Sequence, residues 1–147
     1  RPGEEGFREK VVKSFNRQQV MKTMQATLVD VQPGKVEIEL PYQAELTQQH
    51  GFMHAGVVST VLDSACGYAA FSLMPADAAV LTIEFKVNLL APARGPRLRI
   101  EGQVVKAGRT ISVVEGKAYQ HEAGSPESLC ASMTAPVMTV QGRGLTH

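Results

Sequence analysis

Tryptophan is absent from the 147 residues, aromatic side chains make up 5% of them, and there are two cysteines. Cys66 and Cys130 cannot build a disulfide-rich framework, which favours a reducing compartment. So few aromatic rings leave no base-stacking surface for nucleic acid. Neither sign of charge dominates: 15 Lys+Arg stand against 14 Asp+Glu, a formal net charge of +1. A broad basic footprint for duplex nucleic acid is therefore missing. No apolar run approaches the roughly 20 residues that span a bilayer. The opening segment RPGEEGFREKVVKSF lacks the apolar centre of a secretion signal. It begins on Arg1 rather than Met, so a few native residues are expected to have preceded it. The sequence holds no G-x-S-x-G, G-x-G-x-x-G or Walker loop. A serine-hydrolase elbow, dinucleotide binding and nucleoside-triphosphate chemistry lose their support accordingly. The expectation is a cytoplasmic protein with no nucleic-acid or membrane partner, no metal and no cofactor.

What is present is ordinary globular composition, 44% hydrophobic and 20% charged, at a length suited to one domain. Phe7, Val11, Val12 and Phe15 recur at helical spacing within Gly3 to Gln25, and Val20, Met21 and Met24 continue into a second short helix. Ala26 to Val31 and Lys35 to Leu40 read as strands joined by a turn at Gln32 to Gly34, with Val36, Ile38 and Leu40 alternating against charged neighbours. After a polar loop, Gln43 to Met53, the segment Ala55 to Met74 is apolar around nearly its whole circumference and ends before Pro75. A helix of that kind is buried on most sides. Three or four strands are expected after it, at about Val80 to Leu90, Arg97 to Lys106, Thr110 to Glu122 and Leu129 to Val140. The resulting division is an N-terminal helical extension over 1–23, a main domain over 24–140, and a frayed tail over 141–147. The class is α+β, one antiparallel sheet curled around one long helix.

Asp63 is out of place in that helix, flanked by Leu62 and Ser64 with Val57, Val58 and Val61 before it and Ala65 and Cys66 after. A lone buried carboxylate is costly. It lies either on a wet stripe with Ser59, Thr60 and Ser64 or in a cleft, as a general base or nucleophile. The preceding loop, Gln48-Gln49-His50-Gly51-Phe52-Met53-His54-Ala55-Gly56, puts amides and small residues at a helix N-terminus. Free N–H groups there can hold a developing oxyanion. His50 and His54 lack a third ligand at useful spacing, so metal binding is disfavoured, and His54 reads as a partner for local backbone. Cys66 reads as packing. Ala55 and Asp63 are eight residues apart, about 12 Å along a helix at 1.5 Å per residue. Both can act on one carbonyl only across two subunits. Arg94, Arg97, Arg99, Lys106 and Arg109 read singly as solvated strand ends and together as a phosphate-binding group. Gly67, Ala69, Ala70, Phe71 and Met74 read more readily as helix–sheet packing than as an acyl pocket.

The string from His54 to Gly67 resembles the H-G-G-x-x-x-x-x-x-D signature of the PaaI-like hotdog acyl-CoA thioesterases. The likeness continues through Thr82 to Val87, the Asn88-Leu89-Leu90-Ala91-Pro92-Ala93-Arg94-Gly95 stretch and the Val104 to Thr110 hairpin. It covers roughly Met24 to Val140. The resemblance implies a hotdog fold, a homodimer that commonly pairs into a tetramer, and hydrolysis of an acyl-CoA at the dimer interface. Coenzyme A enters as part of the substrate, not as a cofactor. By the same resemblance Asp63 is the catalytic carboxylate, and the Ala55 N–H, where the family usually has glycine, polarises the carbonyl beside His54. Gln48 is the assisting amide, and Thr82 the hydroxyl that holds attacking water. Gly56, Asn88 and Ala91 would meet the substrate, and Lys106, Arg109 and Arg94 the phosphates of coenzyme A. The alternative carried beside this is a non-catalytic acyl-CoA sensor. A hotdog dehydratase is disfavoured because no histidine-centred motif is present.

Overall fold

The computed structural model describes residues 6–147, so the part of the expected first helix before Gly6 lies outside the described residues. Two helices, α1 (Phe7–Arg17) and α2 (Gln19–Thr23), lead into strands β1 (Thr27–Gln32) and β2 (Lys35–Pro41). A 3-10 turn, Ala44–Leu46, sits in the polar loop before α3 (Ala55–Phe71). Strands β3 (Ala79–Thr82), β4 (Lys86–Leu89), β5 (Arg97–Ala107), β6 (Ile111–Gln120) and β7 (Ser128–Val140) complete the chain. All seven strands form one antiparallel sheet in the order β1-β2-β5-β6-β7-β3, with β4 also on β7. The α+β reading and the single sheet around one long helix are as expected.

Two boundaries differ from the sequence reading. The helix closes at Phe71 rather than Met74: Ser72 turns its hydroxyl onto Ala69 O at 2.7 Å, and Leu73 and Met74 continue in tight turns. Pro75 disfavours helical backbone at the residue before it. The expected strand Val80 to Leu90 is two strands. Thr82 pairs with Val137 but Lys86 with Thr134, so Ile83 to Phe85 hold one residue more than the strand they face. The extra residue bulges the chain opposite Pro136, which has no N–H to offer the ladder.

The sheet wraps α3 closely because glycines stand where the two meet. Gly102 and Gly116 are cross-strand partners on β5 and β6. A Cβ on Gly102 would lie 2.4 Å from the Ala65 carbonyl oxygen, and one on Gly116 would lie 3.0 Å from both Cys66 Sγ and Leu62 Cδ2. Val58, Val61, Leu62, Ala65 and Cys66 are consequently buried against Val36, Ile38, Leu40, Ile100 and Val114. Each large aliphatic side chain so buried stabilises the fold by roughly 1.5–3 kcal/mol.

The tail after β7 has no regular structure, as expected, but its end is docked rather than frayed. The His147 ring stacks on Phe71 with centroids 4.4 Å apart. Its Nε2 accepts the Val80 N–H at 2.8 Å, and its Nδ1 lies 2.9 Å from Ser14 Oγ. Burial is the largest cause of a lowered His147 pKa, and the nearby Arg17 and Lys10 charges act in the same direction.

Gly102→Ala should destabilise the protein by about 1–3 kcal/mol, since neither the Ala65 backbone nor β5 can move aside freely. Urea denaturation compared with wild type checks this. A lowered imidazole pKa means the unfolded chain binds a proton that the folded chain refuses. Stability should therefore fall as pH drops through the ordinary histidine value toward the lowered one, and His147→Gln should flatten that slope. Thermal unfolding between about pH 7 and pH 5 reads both, bracketing the ordinary histidine pKa of roughly 6.5.

Candidate active site

Two cavities flank α3, and each holds part of the expected machinery. The first, of about 430 Å³, is lined by Asp63 together with Thr82, Tyr68 and residues of α1 and the tail. Asp63 is half-buried, and Thr82 donates its hydroxyl to Asp63 Oδ1 at 2.7 Å. That bond fixes the carboxylate plane and leaves Oδ2 with no hydrogen bond from the described residues. Here the observed partner of Thr82 is the carboxylate itself, where the resemblance assigned its hydroxyl to the attacking water. One turn further on, burial, then the charge of Asp63, then that of Glu115, pushes the Cys66 thiol up to about 12, so it stays protonated.

The second cavity, of about 490 Å³, opens at the other end of the helix between Gln48, Ala55, Phe52 and the segment Leu89 to Ala93. The loop before α3 is pinned by its own backbone: Gln48 N–H to Phe52 O at 2.9 Å, Met53 N–H to Ala93 O at 2.9 Å and His54 N–H to Leu46 O at 2.9 Å. Gly51 takes φ 86° to close the turn, a backbone region that glycine enters without strain. The Gln48 side chain is oriented by the same loop. Its Oε1 accepts N–H bonds from His50 at 2.6 Å and Phe52 at 3.2 Å. An amide whose oxygen is committed presents its NH₂ group as the remaining function, here a donor beside the cavity.

His54 caps the helix. Its Nδ1 accepts the Gly56 N–H at 2.8 Å, and its carbonyl accepts those of Val57 and Val58 at 3.0 and 3.1 Å. Of the four N–H groups that open α3, only that of Ala55 has no partner among the described residues. Helix geometry leaves such groups for ligands, and the helix dipole favours negative charge there. Ala55 N–H and Gln48 Nε2 therefore form a two-donor site suited to an oxyanion. Gly56 offers no free backbone donor, because its N–H belongs to His54.

The remaining expected contacts divide. Ala91 lines the second cavity, and Arg94 lies over the Phe52 ring at 5.1 Å while pairing with Glu122 at 3.3 Å. Asn88 is exposed beside Ser132. Lys106 and Arg109 sit on the β5–β6 hairpin, where Arg109 approaches Leu73, Met74 and Pro75 at the opposite end of α3 from Ala55. Within one chain they do not join the Gln48–Ala55 site. Ala69, Ala70, Phe71 and Met74 are core, as the packing reading held, while Gly67 lines the Asp63 cavity. Residues that the sequence reading did not connect to the site are Ser14, Arg17, Gln18 and His147, which close the Asp63 cavity from both ends of the chain. Ser64 donates to Gln18 Oε1 at 2.9 Å. Tyr68, five residues past Asp63, also lines the cavity, though helical spacing alone does not put the two on one face.

The two cavities share no lining residue. Between them runs the outer edge of β3 and β4, which among the described residues pair only with β7. Leu81, Ile83, Phe85, Leu89 and Leu90 along it are each between 44% and 57% exposed.

Comparison with known proteins gives concordant results. Residues 50–126 match the thioesterase superfamily. A crystal structure of a thioesterase family protein from Silicibacter pomeroyi is 55% identical, with a TM-score of 0.91 over 93% of this chain and 100% of that one. The Escherichia coli PaaI protein from the phenylacetic acid degradation operon shares the fold at 15% identity, with a TM-score of 0.83 over 92% of this chain and 94% of that one. A Saccharolobus solfataricus protein bearing the provisional name of esterase is 33% identical over 66% of this chain and 69% of its own length. Human acyl-coenzyme A thioesterase 13 is 29% identical over 58% of this chain, and the match spans 61% of that relative's length.

Cys66 and Cys130 are both buried, and burial raises both thiol pKa values. Neither should react with a disulfide reagent at pH 8 in the folded protein, and both should react in denaturant. Thiol counting by absorbance, with and without guanidinium, checks this.

Proposed function

The chain belongs to the thioesterase superfamily and has its hotdog fold, and from that premise we propose that it hydrolyses acyl-CoA to free acid and coenzyme A at two sites in a homodimer. The observation that carries the reading is the separation within one helix of an oriented carboxylate from a free pair of donors. The thioester carbonyl needs both, and one chain cannot bring them together. Docking the exposed β3–β4 edges of two copies antiparallel, about a twofold axis near Phe85, sets Leu81 and Thr82 of one copy beside Leu89 and Leu90 of the other. The Asp63 cavity of each copy then opens onto the Gln48–Ala55 cavity of its partner. Unpaired strand edges with apolar side chains are the surfaces that recruit such pairing.

In this arrangement the carbonyl oxygen lies on the Ala55 N–H and the Gln48 amide of one subunit. Asp63 Oδ2 of the other takes a proton from water as its oxygen attacks the carbonyl carbon. The C–O double bond opens to an oxyanion held by the two donors. It re-forms as the C–S bond breaks, and the proton on Asp63 passes to the departing thiolate. The methyl group of Ala55 leaves the backbone donor in place. The name of the human relative supports an acyl-CoA substrate, and the Arg94 guanidinium beside the second cavity supports an anionic coenzyme moiety there. Paired dimers as the larger assembly and a cytoplasmic location belong to the same reading. Among the described residues no helix is long and apolar enough to cross a membrane.

Asp63→Asn should lower kcat by about 10²–10⁴ while leaving the fold intact, since a positioned general base contributes that much. Thiol release from a panel of short, medium, long and aryl acyl-CoAs checks it. Turnover near the wild-type rate in that variant sinks the mechanism. Binding without turnover by the wild-type protein would instead favour a sensor.

A further inference from the structure

The Asp63 cavity is unusually polar for a pocket expected to receive an acyl chain. Its far end is built from Ser14 of α1, Tyr68 of α3 and His147 of the tail. The hydrogen bonds there can be counted. His147 Nε2 accepts the Val80 N–H at 2.8 Å, so it carries no proton. The neutral ring therefore holds its proton on Nδ1, which donates to Ser14 Oγ at 2.9 Å. Ser14 Oγ is also 3.1 Å from the Tyr68 hydroxyl.

Three hydrogens, on Nδ1, Ser14 and Tyr68, thus face two contacts. Whichever way the Ser14–Tyr68 bond points, one O–H donor is left over. Both candidates line the cavity and are buried, Ser14 at 5% and Tyr68 at 4% exposure. Burial raises the Tyr68 pKa and lowers that of His147, so both groups keep the protonation this count requires at neutral pH.

The distance from the reacting carboxylate is set by the elements that carry these groups. Thr82, which holds Asp63, and Val80, which holds His147, are two residues apart on β3, about 7 Å at 3.4 Å per residue. Tyr68 lies five residues beyond Asp63 on α3, about 7.5 Å along the axis. That is the reach of roughly six bonds of an extended chain, which advances about 1.2 Å per bond.

We propose that the Ser14–Tyr68–His147 end of the cavity is a specificity site that selects acyl groups bearing an oxygen acceptor about six bonds from the thioester carbonyl. The inference rests on the thioesterase reading and narrows its substrate class. In the free protein, water can meet the spare O–H. An acyl oxygen replaces that water bond for bond, whereas a terminal methyl group displaces it and leaves the donor unpaired. Selection against the plain chain arises from that loss, as in any site built to bond a substrate hydroxyl.

The test compares kcat/KM for 6-hydroxyhexanoyl-CoA and hexanoyl-CoA, in the wild-type protein and in the Ser14→Ala/Tyr68→Phe double variant. The wild type should prefer the hydroxylated substrate by about tenfold or more, and the ratio should fall to near one in the double variant. A wild-type ratio near or below one, with hexanoyl-CoA still hydrolysed, overturns the specificity site while the thioesterase reading stands. That arm needs no variant to fold. A preference that survives in a folded double variant overturns the assignment to these hydroxyls. Hydrolysis of neither substrate, nor of any short, medium, long or aryl acyl-CoA, overturns the thioesterase reading and the specificity site with it.

Discussion

Helix α3 lies so close to the sheet that the Ala65 carbonyl leaves no room for a side chain at Gly102. Most of the molecule's architecture depends on that contact. It buries the helix nearly all round, which is why its sequence shows almost no polar face. It also spaces the functional groups along a rigid rod. The loop at its N-terminus and the carboxylate near its middle keep their separation whatever the surface does.

A rod with donors at one end and a carboxylate about 12 Å along it, by helical rise, cannot bring both to one atom within a single chain. The chain's own hydrogen bonds prepare the two separately. His54 takes up three of the first four N–H groups of α3 and leaves Ala55. The Gln48 oxygen is spent on the loop that carries it, so its NH₂ remains. Thr82 holds one oxygen of Asp63 and frees the other. Preorganisation of this kind matters because donors already in place cost nothing to reorganise as charge develops. The bulge that splits β3 from β4 belongs to the same design, since it lies on the exposed edge between the two cavities.

The cavity around Asp63 is assembled from distant parts of the chain. Ser14 and His147 are 133 residues apart in sequence and in hydrogen-bond contact. The helical extension and the tail are thereby walls of the pocket rather than appendages. Their polar lining contrasts with the apolar lining of the Gln48–Ala55 cavity, where Phe52, Met53, Leu89 and Leu90 meet. Two pockets of opposite character thus flank one strand edge.

Local pattern alone determined the architecture: alternation on β2, the apolar run of α3 and the turns between β5, β6 and β7 depend on neighbours in sequence. Asp63 was also legible as an anomaly, because a carboxylate among aliphatic residues contradicts its surroundings, and so was its separation from the Ala55 N–H, because helical rise is a fixed length. Tertiary structure alone decided which backbone donor remained free, since that depends on where the His54 ring turns. It decided that Gly56 is already committed, that Thr82 grips Asp63 itself, and that Lys106 and Arg109 lie at the far end of the helix. It decided, too, that the tail docks. Ring stacking of His147 on Phe71 and its bonds to Ser14 and Val80 join segments that no periodicity relates. Contacts between residues remote in sequence exist only once the chain has closed around its core, and no local spacing encodes them.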